Sequence, residues 1–342
     1  MTLRGEGRPF YLLGDEDRLA LLAQYGQLLM AFASDESCVR RLAWYERTRP
    51  TSRAALAESL REPLEALSAD HVGRRATEQL LAARCAELAH EVLFSIQVTG
   101  GEDDDASLEA VRTEAGRLLD ELACLEVVAA QLVGGRSTAA RELAAMIRDS
   151  LDPWGAVERE RPPRFADPGV PAQRFGPHAR DVGWSHGSIS VTGHLLEMPR
   201  RDTDATFLRG LLTAGETART VAFVMRVFGP QAGTRRAERH AEEGSAESWL
   251  RAKIGRRSSE RHRSEESHVA LRERELAEGH ALVSFAGFVS VAVPEAAGVQ
   301  EAQRQFDRMQ ARCLQSGLRL ERMRGEQLDA LTYTLPLCRG LR

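Results

Sequence analysis

The chain has 342 residues, is 43% hydrophobic and carries a formal net charge of −4. A chain of that length buries a substantial core and favours two domains over one, and its slightly acidic balance gives no electrostatic reason to expect nucleic acid as a ligand. No stretch reaches the ~20 apolar residues of a spanning helix, and the five cysteines are scattered, odd in number and without a CxxC pair, a pattern that excludes a disulfide scaffold and points to a reducing, cytoplasmic setting.

Residues 9–13 form an apolar run, and over 15–33 Leu19, Leu22, Ala23, Gly26 and Leu29 or Met30 recur at helical spacing, so strand then helix is expected. VRRLAWYERT at 39–48 reads as a strand, followed by helices over 51–67 and 70–89. HEVLFSIQVT at 90–99 is β-branched and aromatic and reads as a further strand. Two helices close this half, 106–132 with Val111, Ala115, Leu118, Leu119, Leu122 and Leu125 on one face, and 137–151.

Residues 152–182 hold six of the thirteen prolines and no apolar period, which predicts an extended connector. Beyond it, GWSHGSISVTGHLLEMPR reads as a hairpin turning near Gly187, 205–214 as a short helix and ARTVAFVMRVFGP as a strand. A long polar helical stretch follows over 231–278. HALVSFAGFVSVAVP is a strong strand, 295–316 a helix carrying Val299, Phe306, Met309 and Leu314, and 318–322 a short strand, before apolar residues at 330–335 close the chain.

The order of elements is the same on both sides of the connector. The sequence therefore predicts an α+β protein of two tandem, similar β-α-β-type domains, 1–151 and 183–342, joined by the proline-rich linker 152–182. Each is expected to have its own sheet with helices on one face, the second carrying the arm 231–278.

Chemistry-bearing motifs are scarce. A phosphate-binding loop needs a glycine-rich turn ending in Gly-Lys-Ser/Thr, whose amides and lysine hold phosphate. The only lysine, Lys253, sits in RAKIGRR, and no intact site of that kind exists. His186 and His194 flank the expected hairpin turn with Glu197 nearby, but HExxH and cysteine pairs are absent, and solvent-facing histidines are the plainer reading. Helix faces explain His240, His262 and His268. Glu102–Asp105 precede a helix start, where carboxylates complement the dipole. The GxSxG serine signature is missing too. From 234 to 278 there are eleven basic and ten acidic residues, so the arm reads as a solvated helical hairpin. Its few apolar residues, Trp249, Leu250 and Ile254 foremost, are the candidate partner contacts. No catalytic residue, cofactor site or metal site is assigned.

Several segments together resemble a family of conjugation-associated proteins from high-GC Gram-positive bacteria. These are GRPFYLLGDEDRLALLAQYGQLL, SCVRRLAWYERTRP, HLLEMPR with FLRGLL and ARTVAFVMRV, ELAEGHALVSFAGFVSVAVP, and GEQLDALTYTLPLCRGL. That family is similar to the non-catalytic amino-terminal part of VirB-type or TraC-like assembly ATPases of type IV secretion. The resemblance implies a structural component of a conjugative, DNA-transferring apparatus that docks a cognate ATPase and inner-membrane channel proteins. It implies a place at the cytoplasmic face of the membrane and no direct nucleic-acid contact, and leaves a homo-oligomer open. Members begin with a hydrophobic membrane-proximal segment, which is not seen here, so this sequence is expected to be a piece of a longer protein or to have lost its anchor. The alternative from another class is an enzyme using a pocket near His186 and His194.

Overall fold

The computed structural model describes residues 1–5, 13–33, 39–51, 60–62, 64–68, 71–82, 87–98, 136–138, 140–158, 180–185, 187–199, 203, 207–212, 217–229, 232–236, 274–275 and 281–341. The elements in chain order are β1 (Thr2–Gly5), α1 (Asp15–Ala31), β2 (Val39–Thr51), α2 (Val72–Ala82), β3 (Glu87–Val98), β4 (Arg136–Ser137), α3 (Ala140–Leu151) and α4 (Pro153–Glu158). They continue with β5 (Gly183–Trp184), β6 (Ser188–Glu197), α5 (Arg209–Leu212), β7 (Ala218–Phe228), β8 (Leu282–Pro294), α6 (Gly298–Gln315), β9 (Arg319–Arg322) and α7 (Gln327–Tyr333).

The protein is α+β, built on an antiparallel sheet with helices. The expectation of two separate sheets is corrected, because the described strands form one sheet in the order β4-β1-β3-β2-β7-β8-β6-β5, with β9 also on β6. The seam is β2 against β7, paired from Leu42 with Met225 to Thr48 with Arg219. The physical reason lies in these strands themselves. Successive strand residues face opposite sides of a sheet, and β7 is buried at Ala218–Met225 on both sides, so neither seam strand is suited to a solvent edge. An unpaired edge of such length invites aggregation, and joining the two edges removes it. The outer strands β4 and β5 have two residues each. Outward from the seam the order is β2-β3-β1-β4 on one side and β7-β8-β6 on the other, where β5 and β9 both pair with β6.

Both faces are covered, not one as expected. On one face Leu28 and Phe32, at the end of α1, pack on Leu42, Phe94, Ile96 and Met225, while Phe306, Met309 and Cys313 of α6 pack on Ile189, Val191, Val221 and Val289. Gly193 of β6 lets α6 come close, since a Cβ there would lie 2.5 Å from Phe306 and 2.6 Å from the Glu321 carbonyl. On the other face Ala43, Tyr45, Leu93, Ala222, Val224 and Phe288 enclose Met146 of α3 and Cys338.

The start of the connector, as far as Glu158, is helical rather than extended. Asp152 is fully buried and α4 begins at Pro153: an Asp-Pro pair supplies a side-chain cap and a pre-set first helical residue. The segment trailing each half then lies on the other half. Trp154 donates its indole N–H to the Ala292 carbonyl at 2.9 Å and its amide to Ser188 Oγ at 3.0 Å. Reciprocally, the Cys338 amide donates to the Tyr45 hydroxyl at 2.9 Å, and the Thr2 and Ser95 hydroxyls donate to the Pro336 carbonyl.

Other boundaries moved slightly. Residues 87–89 belong to β3 rather than to the helix before it, and α3 starts at Ala140 after β4. The helix expected at 106–132, Glu102–Asp105, linker residues 159–179, and the arm apart from 232–236 and 274–275 lie outside the described residues. Among the described residues no helix is long and apolar enough to cross a membrane.

Candidate functional site

Charge sits in the middle of the sheet. Glu46 and Arg47 on β2, Glu91 on β3 and Arg219 on β7 are all at most 7% exposed. Alternation sends Glu46 and Arg47 to opposite faces, so two ionic groups form back to back.

On the α3 face, Arg47 donates to Glu91 at 2.8 Å, to the Met146 carbonyl at 2.9 Å and to Ser150 Oγ. Arg49 lies 3.0 Å from the same carboxylate, and Arg4 also pairs with it. Burial pulls the Arg47 guanidinium below its ordinary value, and Glu91 opposes that. Burial pushes the Glu91 carboxyl up, but Arg47, Arg49 and Arg4 outweigh it and hold it below the usual carboxylate range. The cluster is therefore ionised at neutral pH. Beside it lies a cleft of about 20 Å³, lined by Arg47, Arg49, Asp149, Ser150, Thr220 and Ser290 among others.

On the opposite face a hydroxyl, an imidazole and a carboxylate fall in line. His90 Nδ1 lies 3.0 Å from Glu46 Oε1, and His90 Nε2 lies 3.4 Å from Thr48 Oγ1. This is the connectivity of a nucleophile, base and orienting acid. Two features argue against that chemistry. Between Leu42 and Thr48 the strand pairs on both sides, so its amides are consumed by the ladders and none is left as an oxyanion donor. Glu46 is also neutralised by Arg219, at 2.9 Å, and Arg219 donates in addition to the Leu212 carbonyl. The group works as a clasp between β3, β2 and β7.

No family model matches the chain, and no curated protein matches it.

His194, on β6, is half-buried and stacks on Phe288 with ring centroids 5.1 Å apart, and burial lowers its pKa. Its packed ring points to a core histidine, and the sequence left it paired with His186, which lies outside the described residues together with Trp249, Leu250 and Ile254. Among the described residues no group of three His, Cys, Asp or Glu side chains could hold a metal ion. Burial pushes the thiols of Cys313 and Cys338 up to about 11 and about 12, so neither is a thiolate nucleophile near neutral pH. Asp152 Oδ1 accepts the Ser185 and Ser188 hydroxyls at 3.0 and 2.7 Å and the Gly187 and Gly155 amides. That carboxylate caps α4 and fixes the β5–β6 turn.

Sequence reasoning passed over the central charges. Their signal was Glu-Arg inside the apolar strand WYERT and Glu inside HEVLF, charges where strand periodicity asks for apolar residues.

Proposed function

We propose that this chain is a non-catalytic assembly component of a conjugative, type IV-like secretion apparatus. It acts as a docking platform for a cognate ATPase at the cytoplasmic side of the membrane, beside the inner-membrane channel proteins. One observation carries the docking role. Helix α1 seals the core through Leu28 yet turns Leu19, Leu22 and Met30 outward, exposed by 64%, 45% and 40%. A stripe of large apolar side chains on one helix face is an interaction surface when rimmed by polar residues, here Asp15, Glu16 and Asp17. The arm 231–278, with Trp249, Leu250 and Ile254, is the platform's second contact.

Co-purification of the full chain with the VirB-type ATPase of the same conjugation locus tests the proposal. Leu19→Glu with Leu22→Glu should weaken binding at least tenfold with an unchanged melting temperature, and replacing 234–267 by a Gly-Ser loop should weaken it with folding retained. A wild-type chain that does not bind the ATPase, or binding indifferent to both changes, sinks the proposal.

A further inference from the structure

Helix α1 is held in one rotation about its axis. Leu28 and Phe32 are buried against the sheet, and the Tyr25 hydroxyl donates to the Met225 sulfur at 3.5 Å. Helical spacing then puts Leu19, Leu22, Ala23, Gly26 and Met30 on the outer side, where all five are exposed. Large side chains end this stripe and small ones fill its middle. A Cβ built on Gly26 meets nothing within 4 Å, so a notch open to solvent lies between Leu22 and Met30. No residue from 19 to 33 is charged. An uncharged helical stripe with a notch of small residues suits a second helix, whose ridge of side chains lies along it.

Charge decides which helix. The first turn of α1 carries Asp15, Glu16 and Asp17, and its last turn has no basic residue. Arg18 answers Asp15 at 3.1 Å, and among the described residues no cation pairs with Glu16 or Asp17. A second copy of α1 laid antiparallel would bring no cation to these carboxylates, and laid parallel it would set acid against acid. Anionic lipid is repelled in the same way. A helix with Lys or Arg in its own last turn, where its dipole favours them, meets the carboxylates when it runs antiparallel to α1.

Given the docking role proposed above for α1, we infer that the occupant of this stripe is an amphipathic helix of the partner protein, antiparallel to α1. It sets a bulky apolar side chain over Gly26 and the basic residues of its last turn against Glu16 and Asp17.

Stapled helical peptides of about 20 residues, long enough to cover the stripe, test this on the full chain by fluorescence anisotropy. One carries a leucine stripe and three arginines in its last turn; the other has the same composition with the arginines in its first turn. The first should bind at least tenfold tighter at low salt, and the difference should shrink at high salt through screening. Gly26→Gln fills the notch without adding apolar area and puts a better helix former in the helix interior. It should weaken the first peptide at least tenfold with an undiminished melting temperature. Glu16→Gln with Asp17→Asn should remove most of the preference between the peptides. Equal binding of the two peptides, no saturable binding of either, or wild-type binding by Gly26→Gln overturns the inference. So does a dimer of the chain that Gly26→Gln dissociates, or binding to phosphatidylglycerol vesicles that Leu19→Glu abolishes. The peptides are independent of the ATPase: an ATPase that fails to co-purify while the peptide preference holds counts against that partner alone, and the converse counts against the helix alone.

Discussion

Glu91→Leu is the sharpest perturbation available in this structure. It removes the one carboxylate shared by Arg4, Arg47 and Arg49, and Arg47, 3% exposed, is left as a buried guanidinium without its partner. Breaking a buried pair from one side costs about 3–5 kcal/mol, because the desolvation already incurred is no longer repaid by attraction. Against a total stability of about 5–15 kcal/mol for an ordinary folded chain, that is a large fraction. Removing both partners acts differently. Arg47→Met with Glu91→Leu takes the charge out altogether, and an apolar pair of similar volume is about neutral, so the double variant should recover most of the loss and lie within about 2 kcal/mol of wild type. Arg4→Ala and Arg49→Ala, whose side chains are 40% and 30% exposed, should each cost about 0–1 kcal/mol. Urea unfolding of wild type, Arg47→Met, Glu91→Leu and the double variant, followed by circular dichroism with m-values compared, gives the four corners of the cycle. A Glu91→Leu cost below about 1 kcal/mol, or additivity in the double variant, would refute the argument that the buried charges depend on each other.

Three further outcomes follow from the packing and from the titrating groups. Gly193→Ala should destabilise by about 1–3 kcal/mol through overpacking of Phe306 against the Glu321 carbonyl, and a neutral result in the same unfolding assay would mean α6 shifts freely. Asp152→Ala should cost about 2–4 kcal/mol, combining a lost helix cap with buried Ser185 and Ser188 hydroxyls left short of an acceptor; a cost under about 1 kcal/mol would show that water replaces the carboxylate. On acidification the unfolded chain takes up protons before folded His194 does, because burial lowers the folded value. The stability tied to neutral His194 is therefore present above about pH 6.5 and is lost as pH falls below that. The Glu91 contribution, its folded pKa also lowered, is present above about pH 4.3 and is lost below it. His194→Gln should flatten the first limb of a melting-temperature profile and leave the second, and a profile unchanged between pH 7 and 5 would contradict the assignment.

The sequence by itself determined the elements. Helical spacing of Leu19, Leu22 and Leu29 marked α1, the β-branched and aromatic runs marked β2, β3, β7 and β8, and Val299, Phe306 and Met309 marked α6, because local periodicity and propensity act within a few residues. The two separate sheets expected from the similar order of elements on either side of residues 152–182 are instead one sheet among the described strands. What only the tertiary structure decided is how these parts meet. That β2 joins β7 edge to edge depends on residues 171 to 183 positions apart, and no local pattern states which apolar edge a strand will choose. The continuous apolar run of β7 carried the hint, since a strand buried on both faces has no solvent side. Placement of charge was hidden for the same reason. Glu46 and Arg47 are adjacent in the chain yet belong to different ionic groups on opposite faces, and their partners Arg219 and Glu91 come from neighbouring strands. Their burial is set by strand pairing and by the helices laid over each face, and a linear sequence specifies such distant neighbours only through the packing of the whole chain.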